Sequence, residues 1–191
     1  EKLAEEFDVS GPLPALPPSY NVAPSQEVAA IVEGGGGERR LELLRWGLIP
    51  AWADDPAIGS RMINARSETA AEKPSFRRAF KERRCLIPAD GFYEWQKTNG
   101  GKQPYHLKMS NGRPFAFAGL WESWNSDEEG EIRSCTILTT EANDLVGEVH
   151  ARMPVILPPE THDLWLDPVV REAEQLLSLL VPYPTEDMEA Y

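Results

Sequence analysis

Apolar and polar positions in the first half of the chain predict a pair of strands. The segment Glu27 to Glu33 has the β-branched character of a strand, and Arg39 to Trp46 alternates well enough to pair with it. Four consecutive glycines, Gly34 to Gly37, join the two segments, and glycine supplies the backbone freedom that a tight turn needs. The pattern therefore predicts a β-hairpin.

Apolar runs separated by turn-forming residues continue after Arg84. The separators contain Asn-Gly pairs or short polar stretches, which are typical of hairpin loops. The predicted strands are Cys85 to Pro88, Phe92 to Lys97, Gln103 to Met109, Pro114 to Trp124 and Ile132 to Thr139. We expect these strands to form an antiparallel meander, because they do not alternate with long helices.

Short amphipathic segments predict helices around this sheet. Ser75 to Arg84 places Phe76, Ala79 and Phe80 on one face and cationic side chains largely on the other. Further helices are predicted over Lys2 to Phe7, Thr140 to Val146, Pro159 to Leu164 and Pro168 to Leu180, followed by an extended tail from Tyr183. The predicted fold class is α+β: a single β-dominated domain over residues 1–191, with an antiparallel, barrel-like sheet and peripheral helices.

Composition indicates an ordinary globular protein. The 191 residues are 41% hydrophobic and 26% charged, and no apolar stretch is long enough to cross a membrane. The chain does not open on a secretory signal, so we expect a cytoplasmic protein with no membrane partner. The two cysteines, Cys85 and Cys135, lack the spacing of a zinc site and are expected to be buried thiols. We expect neither a metal nor a cofactor.

Charge is distributed unevenly along the chain. The net charge of −12 argues against an anionic partner, yet the stretch from Arg61 to Arg84 holds eight basic and three acidic residues. This stretch, including Arg77 and Arg78, predicts an electropositive face that can bind nucleic acid. The alternative is that the basic run is simply a solvated helix face.

Three positions carry side chains suited to proton transfer or anion binding. Glu94 interrupts a strand of aromatic residues, where burial would raise its pKa, although it can equally point to solvent. His150 precedes a turn that contains Arg152 and Pro154, which can fix an imidazole and a guanidinium together, although a lone histidine is more often structural. Asn64 and Arg66 share one face if their segment is extended, and that pair suits an anion.

Tryptophans form a further candidate feature. Trp46 and Trp52 lie in segments without an obvious burial pattern, close in sequence to the basic stretch. Aromatic side chains beside cations are what a single-strand binding groove needs, because bases stack on the rings. Core filling explains tryptophans equally well, so residue types alone indicate nucleic-acid binding only weakly and indicate no reaction.

Five motifs occurring in order along the chain resemble those of the SOS response-associated peptidase family. The resemblance runs from about Tyr20 to Leu157 and continues more weakly to Tyr191. The motifs are Tyr20-Asn21-Val22-Ala23-Pro24, Trp46-Gly47-Leu48-Ile49-Pro50, Ile63-Asn64-Ala65-Arg66-Ser67-Glu68-Thr69, Cys85-Leu86-Ile87-Pro88-Ala89-Asp90-Gly91-Phe92-Tyr93-Glu94-Trp95 and His150-Ala151-Arg152-Met153-Pro154.

The resemblance implies a β-rich domain that binds single-stranded DNA and reacts with abasic sites during the DNA-damage response. The family nucleophile is a cysteine at position two of the gene product, exposed when the protein removes its own initiator methionine. Its amine attacks the ring-opened sugar aldehyde to give a Schiff base, and its thiol then closes a thiazolidine. An α-amine is partly neutral near pH 7, which fits this role.

The resemblance also implies roles for individual residues. Asn64 resembles the asparagine that positions the amino-terminal cysteine, Glu94 the carboxyl that assists ring opening, and His150 the imidazole that handles protons during imine formation. Arg66 and Arg152 would hold phosphates, and Trp46 or Trp52 would offer apolar surface to splayed bases. The contribution of Arg77 and Arg78 to DNA binding is inferred from charge and not from a family motif.

The chain departs from the family pattern at its start. The family opens Met-Cys-Gly-Arg, whereas this sequence opens Glu1-Lys2-Leu3. We expect a few residues, including the nucleophile, to precede Glu1 in the gene product, and a closing strand to follow Tyr191. Neither Cys85 nor Cys135 can replace the nucleophile, because an internal cysteine has no free α-amine.

Two other function classes remain open at this point. A noncovalent single-strand binding module would follow if the gene supplied no cysteine at position two. A peptidase acting on other proteins is the class that the family name suggests, but no Ser-His-Asp set is evident in the sequence. The expected partner is single-stranded DNA with abasic sites, bound by a monomer that joins the nucleoid when DNA is damaged.

Overall fold

A computed structural model describes residues 2–191 and shows eleven strands in this part of the chain. The strands are β1 (Glu27–Glu33), β2 (Arg39–Trp46), β3 (Asn64–Arg66), β4 (Arg84–Ala89), β5 (Phe92–Thr98), β6 (Gly101–Met109), β7 (Phe115–Ser126), β8 (Gly130–Glu141), β9 (Arg152–Pro154), β10 (Ile156–Leu157) and β11 (Met188–Ala190). Every strand predicted from the sequence is present, with ends that shift by a few residues.

Helices are short and lie between the strands. The α-helices are α1 (Lys2–Glu6), α2 (Ser67–Ala70), α3 (Arg77–Glu82), α4 (Asp144–Gly147), α5 (His162–Leu166) and α6 (Ala173–Leu177). Single turns of 3₁₀-helix occur at Pro56–Arg61, Pro159–Thr161 and Thr185–Asp187. The α+β class and the peripheral position of the helices are confirmed.

A ring-like sheet forms the centre of the molecule. β1 and β2 make the predicted hairpin, with Glu27 opposite Arg45 and Glu33 opposite Arg39. Hydrogen-bonded neighbours then follow in the order β7, β4, β1, β2 and β8, and β8 pairs again with β7, so the sheet returns to its start. The pairings of β8 with β2 and β3 are parallel, and the sheet is therefore not purely antiparallel as we predicted.

The predicted meander is correct only in part, because β5 pairs with β6 and β7 pairs with β8, but β4 is paired differently. β4 does not pair with β5 but with β1 and β7, which are distant in sequence. The β5–β6 hairpin instead leaves the ring and forms a second, three-stranded sheet with β11. β11 lies where we predicted an extended tail, and Met188 pairs with Met109 of β6.

Two apolar clusters cover the two faces of the central strands. Alternate residues of a strand point to opposite faces, so Ile31 and Leu86 belong to one cluster while Val32 belongs to the other. The first cluster includes Phe80 of α3 and Trp165 of α5, and it lies beneath the helices. The second cluster lies on the opposite face and extends to the three-stranded sheet through Leu107, Met109 and Met188.

The basic helix is shorter than predicted, and Arg84 is not on its exposed face. α3 ends at Glu82, and Arg84 begins β4 with a side chain that is buried. Its guanidinium donates to the main-chain carbonyls of five residues: Phe80, Lys81, Trp165, Asp167 and Val170. Burial lowers the pKa of Arg84 to about 10. This arginine therefore holds the core together and does not contribute to a cationic surface.

Two other helix predictions are also wrong in detail. Thr140 lies within β8, and the helix that follows is capped by Asn143, whose side chain accepts a hydrogen bond from the Val146 amide. The helix predicted to begin at Pro168 begins at Ala173. Residues 167–169 form a turn, in which the Asp167 side chain accepts a hydrogen bond from the Val169 amide.

Both cysteines are buried free thiols, as predicted. Burial raises the pKa of Cys85, and it raises the pKa of Cys135 to about 12. Neither thiol is suited to act as a nucleophile. Of the helices in residues 2–191, none has the length and apolar character needed to span a bilayer.

Candidate functional site

The candidate residues converge at the carboxyl end of β8. β3 pairs with one edge of this end, so that Asn64 lies opposite Ile137 and Arg66 opposite Thr139. β9 pairs with the other edge, and His150 lies two residues before its first residue, Arg152. Asn64 and Arg66 are both exposed on an extended segment, as the two-residue spacing predicted.

Glu94 is half-buried. It lies on β5, where its neighbours Tyr93 and Trp95 point to the opposite, exposed face. Burial raises the pKa of the Glu94 carboxyl, and the charge of His150 partly opposes this shift. Glu94 and His150 are therefore neighbours in space, although 56 positions separate them in the sequence.

Gln96 connects β5 to the turn that carries His150. Gln96 lies on the same face of β5 as Glu94, because two positions separate them. Its side-chain amide donates to the main-chain carbonyl of Glu148 at 2.6 Å. This hydrogen bond fixes the distance between the strand of Glu94 and the loop of His150.

A turn holds the His150 imidazole through its Nδ1 atom. The Arg152 amide donates to this nitrogen at 3.1 Å, and the Arg152 carbonyl lies 3.0 Å from it. An amide can only donate and a carbonyl can only accept, so Nδ1 has a partner whether or not it carries a proton. The main chain of Arg152 therefore holds the imidazole in one orientation through Nδ1.

Arg152 is engaged in an ion pair. Its Nη1 and Nη2 atoms donate to the two oxygens of Glu68 at 2.6 and 2.9 Å. Nη2 also donates to the carbonyl and hydroxyl of Thr139 at 2.8 and 3.1 Å, and Nε is buried without a partner in the described chain. The Arg152 guanidinium lowers the pKa of Glu68. A phosphate role for Arg152 stays a prediction that has to account for these contacts.

The other predicted DNA contacts lie on the surface. Among residues 2–191, no carboxylate lies within ion-pair distance of Arg66 or Arg77, and both are exposed. Arg78 lies 3.8 Å from Glu82 in an exposed pair.

An open cleft of about 220 Å³ brings Trp52 and Arg78 together. Trp52 is 58% exposed, and the buried carboxylate of Glu122 also lines the cleft. Glu122 is paired with Ser134 of β8. Ser134 comes three positions before Ile137, the residue opposite Asn64, so these two positions are about 10 Å apart along the strand. Three positions of β8 therefore separate the level of Glu122 from that of Asn64.

Trp46 has a structural contact. Its indole nitrogen donates to the carbonyl of Ile63 at 2.9 Å, and its ring packs against the second apolar cluster. This contact supports the segment that leads into Asn64. Stacking of a base on Trp46 stays a prediction.

Sequence reasoning missed the partners of the predicted residues. Glu68, Thr139 and Gln96 each hold a candidate residue or its loop in place. Glu68 lies in one of the quoted motifs, but its partner is 84 positions away. A single sequence carries no signal for a contact over that distance.

The raised pKa of Glu94 predicts how stability depends on pH. The folded state disfavours the charged carboxylate, so wild-type stability falls as the pH rises above the ordinary value of 4.5. We expect Glu94→Gln to melt at a higher temperature than wild type at about pH 7 and at nearly the same temperature at about pH 4. Thermal unfolding at both values measures this, and a variant less stable at pH 7 than wild type would contradict the buried-charge account.

Comparison with known proteins identifies the family. The model of the family described as SOS response associated peptidase (SRAP) matches residues 1–191. The chain is 48% identical over 194 residues to the abasic site processing protein YoqW of Bacillus subtilis, covering 100% of this chain and 86% of that protein. It therefore belongs to the SRAP family.

More distant relatives and solved structures agree with this assignment. The abasic site processing protein HMCES of Xenopus tropicalis is 34% identical over 180 residues, covering 78% of this chain and 54% of that protein. A crystal structure of a protein from Bordetella bronchiseptica superposes with a TM-score of 0.82 at 32% identity. That match covers 99% of this chain and 92% of the other, so the whole domain shares the fold.

Proposed function

We propose that this protein binds single-stranded DNA and forms a covalent crosslink to abasic sites in it. The relatives YoqW and HMCES are named as abasic site processing proteins. The structural observation that carries the proposal is the half-buried Glu94 carboxyl, which has a raised pKa and lies on a strand that Gln96 connects to the turn of His150. A carboxyl group with a raised pKa, together with an imidazole, is suited to proton transfer in reactions of a sugar.

Glu94 acts first, on the closed sugar ring. Opening the hemiacetal moves a proton from the anomeric hydroxyl to the ring oxygen and leaves an aldehyde. A carboxyl group can donate to one of these oxygens and accept from the other. The raised pKa of Glu94 keeps a larger fraction of the acid form available at physiological pH than an exposed glutamate has.

His150 acts in the following step. The amine of an amino-terminal cysteine adds to the aldehyde carbon, and the resulting carbinolamine loses water to give an imine. The departing hydroxyl needs a proton, which the imidazole supplies while its Nδ1 atom stays bonded to Arg152. The cysteine thiol then adds to the imine carbon and its proton moves to nitrogen, so that a thiazolidine closes with the loss of one water in total.

Asn64 positions the nucleophile in this scheme. Its carboxamide is exposed at the same end of β8 as the turn of His150, where it can hydrogen-bond an amine. The family resemblance supplies the cysteine itself, exposed by self-removal of the initiator methionine. The proposal places the reaction in the cytoplasm, at the nucleoid when DNA is damaged.

Single-stranded DNA is held by charge and by stacking. Arg66 follows Asn64 by two residues on the same face of β3, and in this scheme it contacts a phosphate near the abasic site. Arg77 and Arg78 extend the cationic path over α3, and a flanking base stacks on Trp52 in the cleft. The overall negative charge of the chain then confines DNA to this face.

Substitution of the unpaired arginines is expected to change the salt dependence of DNA binding. Arg66→Gln and Arg77→Gln each remove one phosphate contact, which flattens the plot of log K against log salt by about 0.7 for a single strand. Fluorescence anisotropy with a single-stranded oligonucleotide over a salt series measures the slope. Arg113→Gln is the matched control, since Arg113 is exposed but paired with Glu6. Slopes equal to wild type in both test variants would remove the charged-face assignment.

A denaturing gel tests the covalent step. Protein from the complete native reading frame is incubated with an oligonucleotide that carries one abasic site, and its amino terminus is sequenced. We expect a shifted band from protein that begins with cysteine. No shift from such protein would refute the proposed reaction, and no shift from protein without that cysteine would favour the noncovalent binding module.

A further inference from the structure

Glu94 and His150 are carried by different sheets. Glu94 lies on β5 of the three-stranded sheet, whereas His150 lies in the segment that joins β8 to β9 of the ring-like sheet. The chain passes from one sheet to the other at Asp90 and Gly91, between β4 and β5. The placement of the carboxyl relative to the imidazole therefore depends on contacts that join the two sheets beyond this crossing.

Gln96 makes such a contact. It lies two positions beyond Glu94 on the same face of β5, and its side-chain nitrogen donates to the Glu148 carbonyl at 2.6 Å. Within residues 2–191, this is the one hydrogen bond between a side chain of the β5–β6 hairpin and the β8–β9 loop, residues 142–151.

The β8–β9 loop is compact, so a contact at Glu148 also constrains His150. The Ala142 amide donates to the Ala151 carbonyl and closes the base of the loop. The His150 amide donates to the Val146 carbonyl, which ties the histidine back to α4. A displacement at Glu148 is therefore transmitted over two residues to the imidazole.

Tyr105 orients the amide of Gln96. Tyr105 is paired with Glu94 in the register of β5 and β6, so both side chains point to the same face. The Tyr105 hydroxyl lies 3.4 Å from Gln96 Oε1, to which it donates. The Glu148 carbonyl can only accept, so the Gln96 amide must direct its nitrogen to the loop and its oxygen to Tyr105.

We propose that Gln96 is a positioning residue that holds the loop of His150 against the strand of Glu94, with Tyr105 fixing the orientation of its amide. The hydrogen bond joins the two sheets at the level of the reacting groups. This inference rests on the proposed function, since it assigns Gln96 to the same reaction.

Gln96→Leu is expected to lower the rate of crosslinking at saturating abasic DNA by about tenfold. Leucine has a similar size but cannot donate to the Glu148 carbonyl, and a small displacement of a catalytic group slows a reaction even when substrate binding is intact. The substitution changes no charge, so we expect the dissociation constant for single-stranded DNA and its salt slope to remain those of wild type. Single-turnover gels and fluorescence anisotropy measure the two quantities.

Gln103→Leu is the matched control. Gln103 is paired with Gln96 on the neighbouring strand, but its side chain donates to the adjacent Pro104 carbonyl and not to the loop. Its variant is expected to react at the wild-type rate. Gln96→Arg is the rescue variant, because a guanidinium can donate to the Glu148 carbonyl and does not form an imine with an aldehyde. Equal rates for the two leucine variants, or no recovery in Gln96→Arg, would overturn the inference.

Carbon NMR of the Glu94 carboxyl tests the placement without DNA. Burial raises the pKa of Glu94 and the charge of His150 partly opposes this, so His150→Gln is expected to raise the pKa further. The size of that rise depends on how close the two groups lie. We expect a smaller rise in the Gln96→Leu background than in the wild-type background. An equal rise would refute the positioning role, whereas a wild-type protein that failed to crosslink would refute the proposed function alone.

Discussion

Glu94→Gln is expected to lower the rate of crosslinking to an abasic oligonucleotide by about 100- to 10,000-fold, the range that general acid–base catalysis contributes. The amide has the shape of the carboxyl but cannot accept or release the proton that opens the sugar ring. Because burial raises the pKa of Glu94, removing its charge is expected to stabilise the folded state, so a lower rate would not result from unfolding. Single-turnover measurements on a denaturing gel give the rate.

Glu27→Gln is a suitable control for this substitution. Glu27 also lies on a strand, but it is exposed at the start of β1 and makes no ion pair within residues 2–191. Its variant is expected to react at the wild-type rate. If Glu94→Gln reacted as fast as this control, Glu94 would have no role in proton transfer.

Arg84→Met is expected to lower the free energy of unfolding by about 4 kcal/mol. Two carbonyls that accept from Arg84, those of Phe80 and Trp165, are buried and would lose this donor, at about 1–3 kcal/mol each. The other three carbonyls are partly buried and can turn to water. Methionine fills the space of the stem but supplies no donor.

Urea denaturation measures this loss. Arg77→Met on the exposed face of α3 is the matched control and is expected to change stability by less than about 0.5 kcal/mol. Equal stabilities of the two variants would contradict the structural role of Arg84. The comparison also tests the sequence-based view that all eight basic residues from Arg61 to Arg84 form one charged surface.

Local pattern was sufficient to predict most elements but not their pairing. The hairpin of β1 and β2 has a short turn, so its register follows from neighbouring residues. β4 also looked like the start of a hairpin, yet its apolar residues face both clusters and it pairs with β1 and β7 instead. Burial on both faces is a property of the assembled sheet, which periodicity in a single segment does not reveal.

Arg84 shows that local sequence also does not predict whether a charged side chain is buried. In sequence it continues a run of exposed cations, and nothing in its neighbours distinguishes it from Arg83. The carbonyls that bind it include Asp167 and Val170, more than 80 positions away. A buried arginine is stable only with such partners, and they come from tertiary structure.

The motif resemblance selected candidate site residues that composition alone did not select. Glu94 and His150 each had a structural alternative until the motif resemblance joined them, and in the structure the charge of His150 acts on the Glu94 carboxyl. The ion pair of Arg152 was harder to predict, because its partner Glu68 comes from another strand–helix junction. The type of a residue indicates which interactions its side chain can make, whereas its neighbours in the structure determine which of those interactions are already used.

Intact-mass spectrometry of the reaction mixture tests the central claim most directly. Protein from the complete native reading frame is mixed with an oligonucleotide that carries one abasic site, and in parallel with one that carries a tetrahydrofuran analogue, which has no aldehyde. The account predicts a single adduct with the mass of protein plus abasic DNA less one water, attached to the amino-terminal cysteine, and no adduct with the analogue. An adduct with both oligonucleotides, or none with either from protein that begins with cysteine, would contradict it.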